Sequence, residues 1–168
     1  QITNPRILQG MKDQDLLAYI QPVFIDLDMN TVEPAIGAQR MDKVYAWKSM
    51  LDMGIHTSGG SDAPVVSFDA MENIYFAVTR KNISGQPQEG WIPSEKISVD
   101  EAVKLFTKNA AYASYTEDEN GTIEVGKNAD FVVLEKNIYE IDPDEIKAAK
   151  VDMTVLGGEI VYEREVEE

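Results

Sequence analysis

The residues best placed for chemistry lie in one stretch, Ile55-His56-Thr57-Ser58-Gly59-Gly60-Ser61-Asp62-Ala63-Pro64-Val65. An apolar start, a pair of glycines and then one carboxylate read as a short strand that ends in a loop carrying Asp62. In α/β enzymes the reacting groups sit just past the carboxyl ends of buried strands, where the main chain leaves the sheet. A carboxylate in that place can accept and return a proton. The plainer reading of the same residues is that Ser61 and Asp62 turn the chain and cap the helix that follows.

Other candidates are scattered. His56 is the only histidine; it falls near the start of its strand, away from the end that carries chemistry, and reads as structural. Gln21 interrupts an apolar run, Arg40 sits where a loop meets the next helix, and Trp91 stands inside a long loop. The chain has no cysteine, which excludes disulfides and thiolate metal sites and suits a reducing compartment such as the cytoplasm. With 30 Asp and Glu against 15 Lys and Arg, the net charge of -15 repels phosphate backbones and anionic lipid. Nucleic acid and membrane are therefore excluded as expected partners. The excess is densest at Glu163, Glu165, Glu167 and Glu168. No apolar run approaches a membrane span, and no basic-then-apolar leader opens the chain, which begins at Gln1. A chain cut at its front end is expected.

The elements that must position these residues follow from the pattern. Asn4-Pro5 opens a helix, Asn as cap and Pro at the first helical position, with Ile7, Leu8 and Met11 as its apolar stripe. The near-continuous apolar run from Leu16 to Ile25 predicts a parallel strand over 17–25, and 55–59 a second. Residues 26–39, with Pro34 and Gly37, read as a loop. A helix is expected over 40–53, closed by Gly54, and another over 67–79. Strand alternating with helix argues for βα units. Residues 81–96 form a long loop, and Ser98-Val99-Asp100-Glu101 is a capping box opening a helix that carries Ala102, Leu105, Phe106 and Ala110 on one face. Beyond about Thr122 the grammar changes. A strand over 129–134, a short helix from Asp142-Pro143, and a hairpin over 151–162 turning at Gly157-Gly158 imply a second, antiparallel sheet.

Taken together, these stretches resemble the metal-dependent amidohydrolase superfamily, and within it the amidohydrolase family 3 branch. Gly59-Gly60-Ser61-Asp62-Ala63-Pro64 is similar to the turn after that family's eighth barrel strand. Ile97 to Ala102 and Thr107-Lys108-Asn109-Ala110-Ala111 resemble the helix after the barrel. Gly121-Thr122-Ile123-Glu124-Val125-Gly126-Lys127-Asn128-Ala129-Asp130-Phe131-Val132-Val133-Leu134 and the closing hairpin resemble its return into a β-sandwich. Gln21-Pro22 and Arg40 add to the branch assignment.

The resemblance implies an α/β fold: the C-terminal part of a (β/α)8 TIM-type barrel, its last two strands and their helices over residues 1–118, then part of a small β-sandwich over 119–168. It implies that the family's metal-binding histidines lie outside this chain. It implies Asp62 as the metal ligand and proton shuttle of the intact enzyme, with Gln21 and Arg40 as expected substrate-side residues. The metal is a divalent ion, zinc by family, bound in the intact enzyme and not by this chain alone. The substrate is a small molecule with an amide-type C–N bond, and this chain alone is expected to be inactive. A non-catalytic module built for association, and a cyclic-amide hydrolase or deaminase of the same superfamily, remain as alternatives. Open strand edges lead to an expected homo-oligomer.

Overall fold

The computed structural model describes residues 1–165 of the chain. Helix α1 (Pro5–Asp13) starts where its cap places it: the Asn4 side chain accepts from the Ile7 N–H at 2.9 Å, and Pro5 gives up no bond at N1. Its apolar stripe is narrower than expected, since Leu8 is buried while Ile7 faces outward. The chain then enters β1 (Ala18–Ile20), which runs parallel to β2 (Thr57–Gly59), Ala18 opposite Thr57 and Ile20 opposite Gly59.

The strand expected over 17–25 is cut short by its own sequence. Pro22 has no N–H to give a ladder, and the chain turns there. The carbonyls of Gln21 and Pro22 accept from the Phe24 and Ile25 N–H groups at 3.2 and 3.1 Å, starting α2 (Phe24–Asp28). Helix α3 (Val32–Ile36) occupies what reads in sequence as loop, and a 3-10 turn over Ala38–Lys43 spans the end of that loop and the start of the expected helix. The helix expected over 40–53 is broken. The Tyr45 N–H donates to the Gln1 carbonyl at 2.8 Å, and the Thr3 N–H donates to that of Lys43 at 3.0 Å. A segment held extended against residues 1–3 cannot be helical, so α4 is confined to Trp47–Asp52.

Helix α5 (Ala70–Thr79) is capped by Asp69, whose side chain accepts from the Met71 and Glu72 N–H groups. Both halves of the Ser98–Glu101 capping box are formed at the start of α6 (Val99–Leu105). The single helix expected after that box is two, because the backbone breaks at Thr107 (φ -128°, ψ -99°) and resumes as α7 (Lys108–Ala113). Ile20, Ile25, Trp47, Tyr75, Phe76 and Leu105 form the centre of the core between these helices and the parallel pair. A buried polar side chain, Asn73, lies beside it. Asn73 of α5 accepts from the Val23 N–H at 3.1 Å, satisfying a donor that the turn at Pro22 leaves without a strand partner.

Strands β3 (Phe131–Leu134), β4 (Val151–Leu156) and β5 (Glu159–Glu163) make an antiparallel sheet in that order. The β4–β5 turn is Gly157-Gly158, both at positive φ (58° and 85°), a conformation that glycine adopts without strain. The segment Pro143–Ala148 packs its buried Ile146 toward α5, and the Lys147 ammonium stands 4.5 Å from the Tyr75 ring centroid. Arg164 fastens the end of β5 to Asp152 and Glu135, at 2.5 and 3.2 Å. Every residue of β5 is exposed. Of the acidic cluster at the end of the chain, Glu163 and Glu165 are exposed, and Glu167 and Glu168 lie outside the described residues.

Candidate functional site

Strands β1 and β2 end side by side. The Gly60 N–H donates to the Ile20 carbonyl at 2.9 Å, and past that bond both chains leave the sheet, one at Gln21 and the other into Ser61-Asp62. Asp62 sits at φ +63°, its carbonyl accepting from the Val65 N–H at 3.0 Å to close a turn, while its carboxylate stands exposed beyond the strand end. Asp62 does not cap the following helix, since that task belongs to Asp69. Ser61 takes the turn-making part of the plainer reading, its hydroxyl accepting from the Ala63 N–H at 3.3 Å.

Gln21, at the end of β1, is tied inward. Its Oε1 accepts from Gln1 Nε2 at 2.7 Å, and Gln1 Oε1 accepts from Trp47 Nε1 at 2.9 Å. Trp47 in turn lies 4.8 Å from the guanidinium carbon of Arg80, a cation fully withdrawn from solvent. Arg80 donates from Nε to the Trp91 carbonyl at 2.6 Å and from Nη1 to that of Tyr45 at 2.9 Å. Burial lowers its pKa to about 10 against the pull of Glu95 and Tyr45. The Tyr45 hydroxyl donates to Asp28, and burial first, then that bond, holds its pKa well above the usual phenol value.

Of the residues singled out in sequence, the structure brings Gln21 and Asp62 to the same end of the parallel pair. Arg40 is exposed in the 3-10 turn and lines a cleft with Asn4, Gln39 and Lys43. His56 is exposed just before β2 and stacks on Tyr112, centroids 4.3 Å apart. Trp91 is half-buried, 5.6 Å from Tyr45, and pins its loop. Gln1, Trp47 and Arg80 carried no signal of their own in the sequence. Arg80 is one of fifteen basic residues, and only its packing separates it from the rest.

A tetrahedral zinc site takes three or four protein ligands. Among the described residues no three His, Cys, Asp or Glu side chains converge. The described residues do not by themselves fit a tetrahedral metal centre.

The profile of the amidohydrolase family matches residues 1–162. The Bacillus subtilis protein YtcJ, itself assigned to the amidohydrolases, is 34% identical over 164 residues, 98% of this chain and 31% of that protein. The N-substituted formamide deformylase of Arthrobacter pascens is 35% identical over 122 residues, 73% of this chain and 22% of its own length. This chain thus spans a third or less of the curated relatives it matches. Among solved structures, an uncharacterised metal-dependent hydrolase from Pyrococcus horikoshii superposes with a TM-score of 0.75 at 20% identity, over 84% of this chain and 29% of that one. Guanine deaminase of E. coli superposes at 0.68 and 16%, over 97% and 38%. At such identities the likeness shows the fold alone, that of part of an amidohydrolase TIM barrel.

Proposed function

The chain belongs to the amidohydrolase family, and from that membership we propose that it is the C-terminal part of a metal-dependent hydrolase of amide-type C–N bonds. Asp62 is its functional carboxylate. The observation that carries this reading is the place of Asp62, exposed past the shared end of a parallel strand pair and taking no part in capping α5. Its part in the chemistry is to accept a proton and pass it to the leaving nitrogen. In the intact enzyme Asp62 is also the ligand this chain brings to a divalent ion, zinc by family. The described residues hold no group of three His, Cys, Asp or Glu side chains that could bind a metal, which supports the reading that this chain alone is inactive. Gln21 stands on the substrate side of the same strand end. Arg40 is a second substrate-side residue in this reading.

In this reading the barrel piece over 1–118 holds the last two strands, β1 and β2, and the sandwich portion starts at 119, with its described residues running to 165. A cyclic-amide or deaminase chemistry is the second reading, supported by 27% identity over 128 residues to the 5-methylthioadenosine/S-adenosylhomocysteine deaminase of Caldanaerobacter subterraneus. A parallel pair with only two strands supports association between copies of this chain; sedimentation as a monomer at high concentration would count against it.

The test is turnover of the full-length protein on N-formyl and N-acyl amines, on cyclic amides and on aminated heterocycles, with and without Asp62→Asn. Loss of at least about a thousandfold on one class would fix both residue and substrate. Unchanged turnover in the variant would remove Asp62 from the chemistry.

A further inference from the structure

The loop that carries Asp62 is aimed from behind. A methyl group at Gly59, the last residue of β2, would lie 2.7 Å from Cζ of Phe106 and 3.0 Å from both Cε atoms. The ring therefore lies against the backbone of Gly59 where any larger residue would put its side chain. Phe106 occupies the corner between α6 and α7, and three residues on Asn109 donates from Nδ2 to the Thr57 carbonyl at 2.9 Å. The same corner thus fixes β2 at its first residue by a hydrogen bond and at its last by an aromatic face. Nothing else in the Gly60–Asp62 segment is packed this way. Gly60 has open space where a methyl would stand, and Asp62 is exposed.

We propose that Phe106 is the positioning residue for Asp62: its ring on Gly59 sets the direction in which the chain leaves β2 and so where the carboxylate stands. The proposal rests on the reading of Asp62 as the functional carboxylate, but its physical content is a coupling between the Phe106 ring and the course of residues 60–65. The paired glycines share no common duty. Gly59 leaves room for the ring, whereas Gly60 faces open space.

Amide hydrogen exchange on this chain tests the coupling without any assay of activity. Two bonds report on the loop, from the Gly60 N–H to the Ile20 carbonyl and from the Val65 N–H to the Asp62 carbonyl, and the Ala18 N–H to the His56 carbonyl reports on the strand pair before it. Phe106→Ala is expected to speed exchange at Gly60 and Val65 by about tenfold, the fold-change corresponding to one aromatic contact, and to leave Ala18 unchanged. Gly59→Ala is expected to loosen the same two amides, and the pair Gly59→Ala with Phe106→Leu to restore them, because the shorter side chain clears the new methyl. Unchanged exchange at Gly60 and Val65 in either single variant overturns the proposal. So does loosening of Ala18 to the same extent, or a pair that behaves as the sum of its parts. An Asp62→Asn enzyme that keeps full turnover would refute the functional reading and leave this coupling standing.

Discussion

Arg80 and Trp91 hold each other twice. The Trp91 N–H donates to the Arg80 carbonyl at 2.7 Å, and the Arg80 side chain returns an Nε–H to the Trp91 carbonyl at 2.6 Å. Between them lies the whole excursion of residues 81–90, so one residue pair closes that loop. Arg80 itself adopts φ +54°, and Gly90 packs so tightly on the Thr79 carbonyl that a methyl there would meet it at 2.3 Å.

Arg80→Ala is expected to lower stability by about 3 kcal/mol, through the cavity it leaves and the two carbonyls it strands. Arg80→Lys should recover little, because an ammonium lacks the planar fork that reaches both Trp91 and Tyr45. Urea unfolding reads this as a lower midpoint at an unchanged slope. A variant within about 0.5 kcal/mol of the parent would show the clamp to be idle.

Tyr45 gives the chain a pH dependence at the alkaline end. Its folded pKa is raised, so its contribution is complete below the unfolded phenol value near ~10 and is lost as pH rises through the folded value. Tyr45→Phe should cost about 1 kcal/mol at neutral pH by leaving Asp28 without its donor, and should flatten the decline of stability above pH ~10. Parallel stability–pH curves for the two proteins would refute the assignment.

Glu95, only 3% exposed, accepts from the Ser49 N–H at 2.9 Å and from the Ser49 hydroxyl, covering the amino end of α4. Glu95→Gln keeps one acceptor there and should cost about 1 kcal/mol, and Glu95→Ala about 2 kcal/mol. Thermal unfolding that ranks the two variants the other way would mean that burying the charge costs more than its bonds return.

Asp62→Asn should leave the stability of this chain within about 0.5 kcal/mol, since its carboxylate is exposed and caps no helix. Calorimetry of parent and variant checks it. An equal melting temperature would make any loss of turnover in the full-length protein a statement about chemistry.

What the sequence disclosed is the local grammar. Asn4-Pro5, the Ser98–Glu101 box and Gly157-Gly158 each satisfy their own backbone within a few residues, and each appears as read. Elements set by distant partners were not legible. The run from Leu16 to Ile25 is apolar because β1 and α2 both face the core, not because it is one strand. The break at Val44–Ala46 depends on hydrogen bonds to residues 1–3, more than forty positions away. At the site, Asp62 was visible as a carboxylate after two glycines. Phe106, its neighbour in space through Gly59, read only as one more apolar position on a helix.

Strand β5 presents Glu159-Ile160-Val161-Tyr162-Glu163 on an edge open to solvent. Were another copy to lay its own β5 antiparallel along that edge, centred on Val161, Glu159 of each would face Glu163 of the other at both ends, like charges directly opposed. The strand is therefore a poor template for itself, although its middle three residues are all good strand formers. High salt, which screens those four carboxylates, weakens the restraint. Pairing of β5 with β5 is thus set by the ionic conditions around the chain as well as by the two glutamates that end the strand.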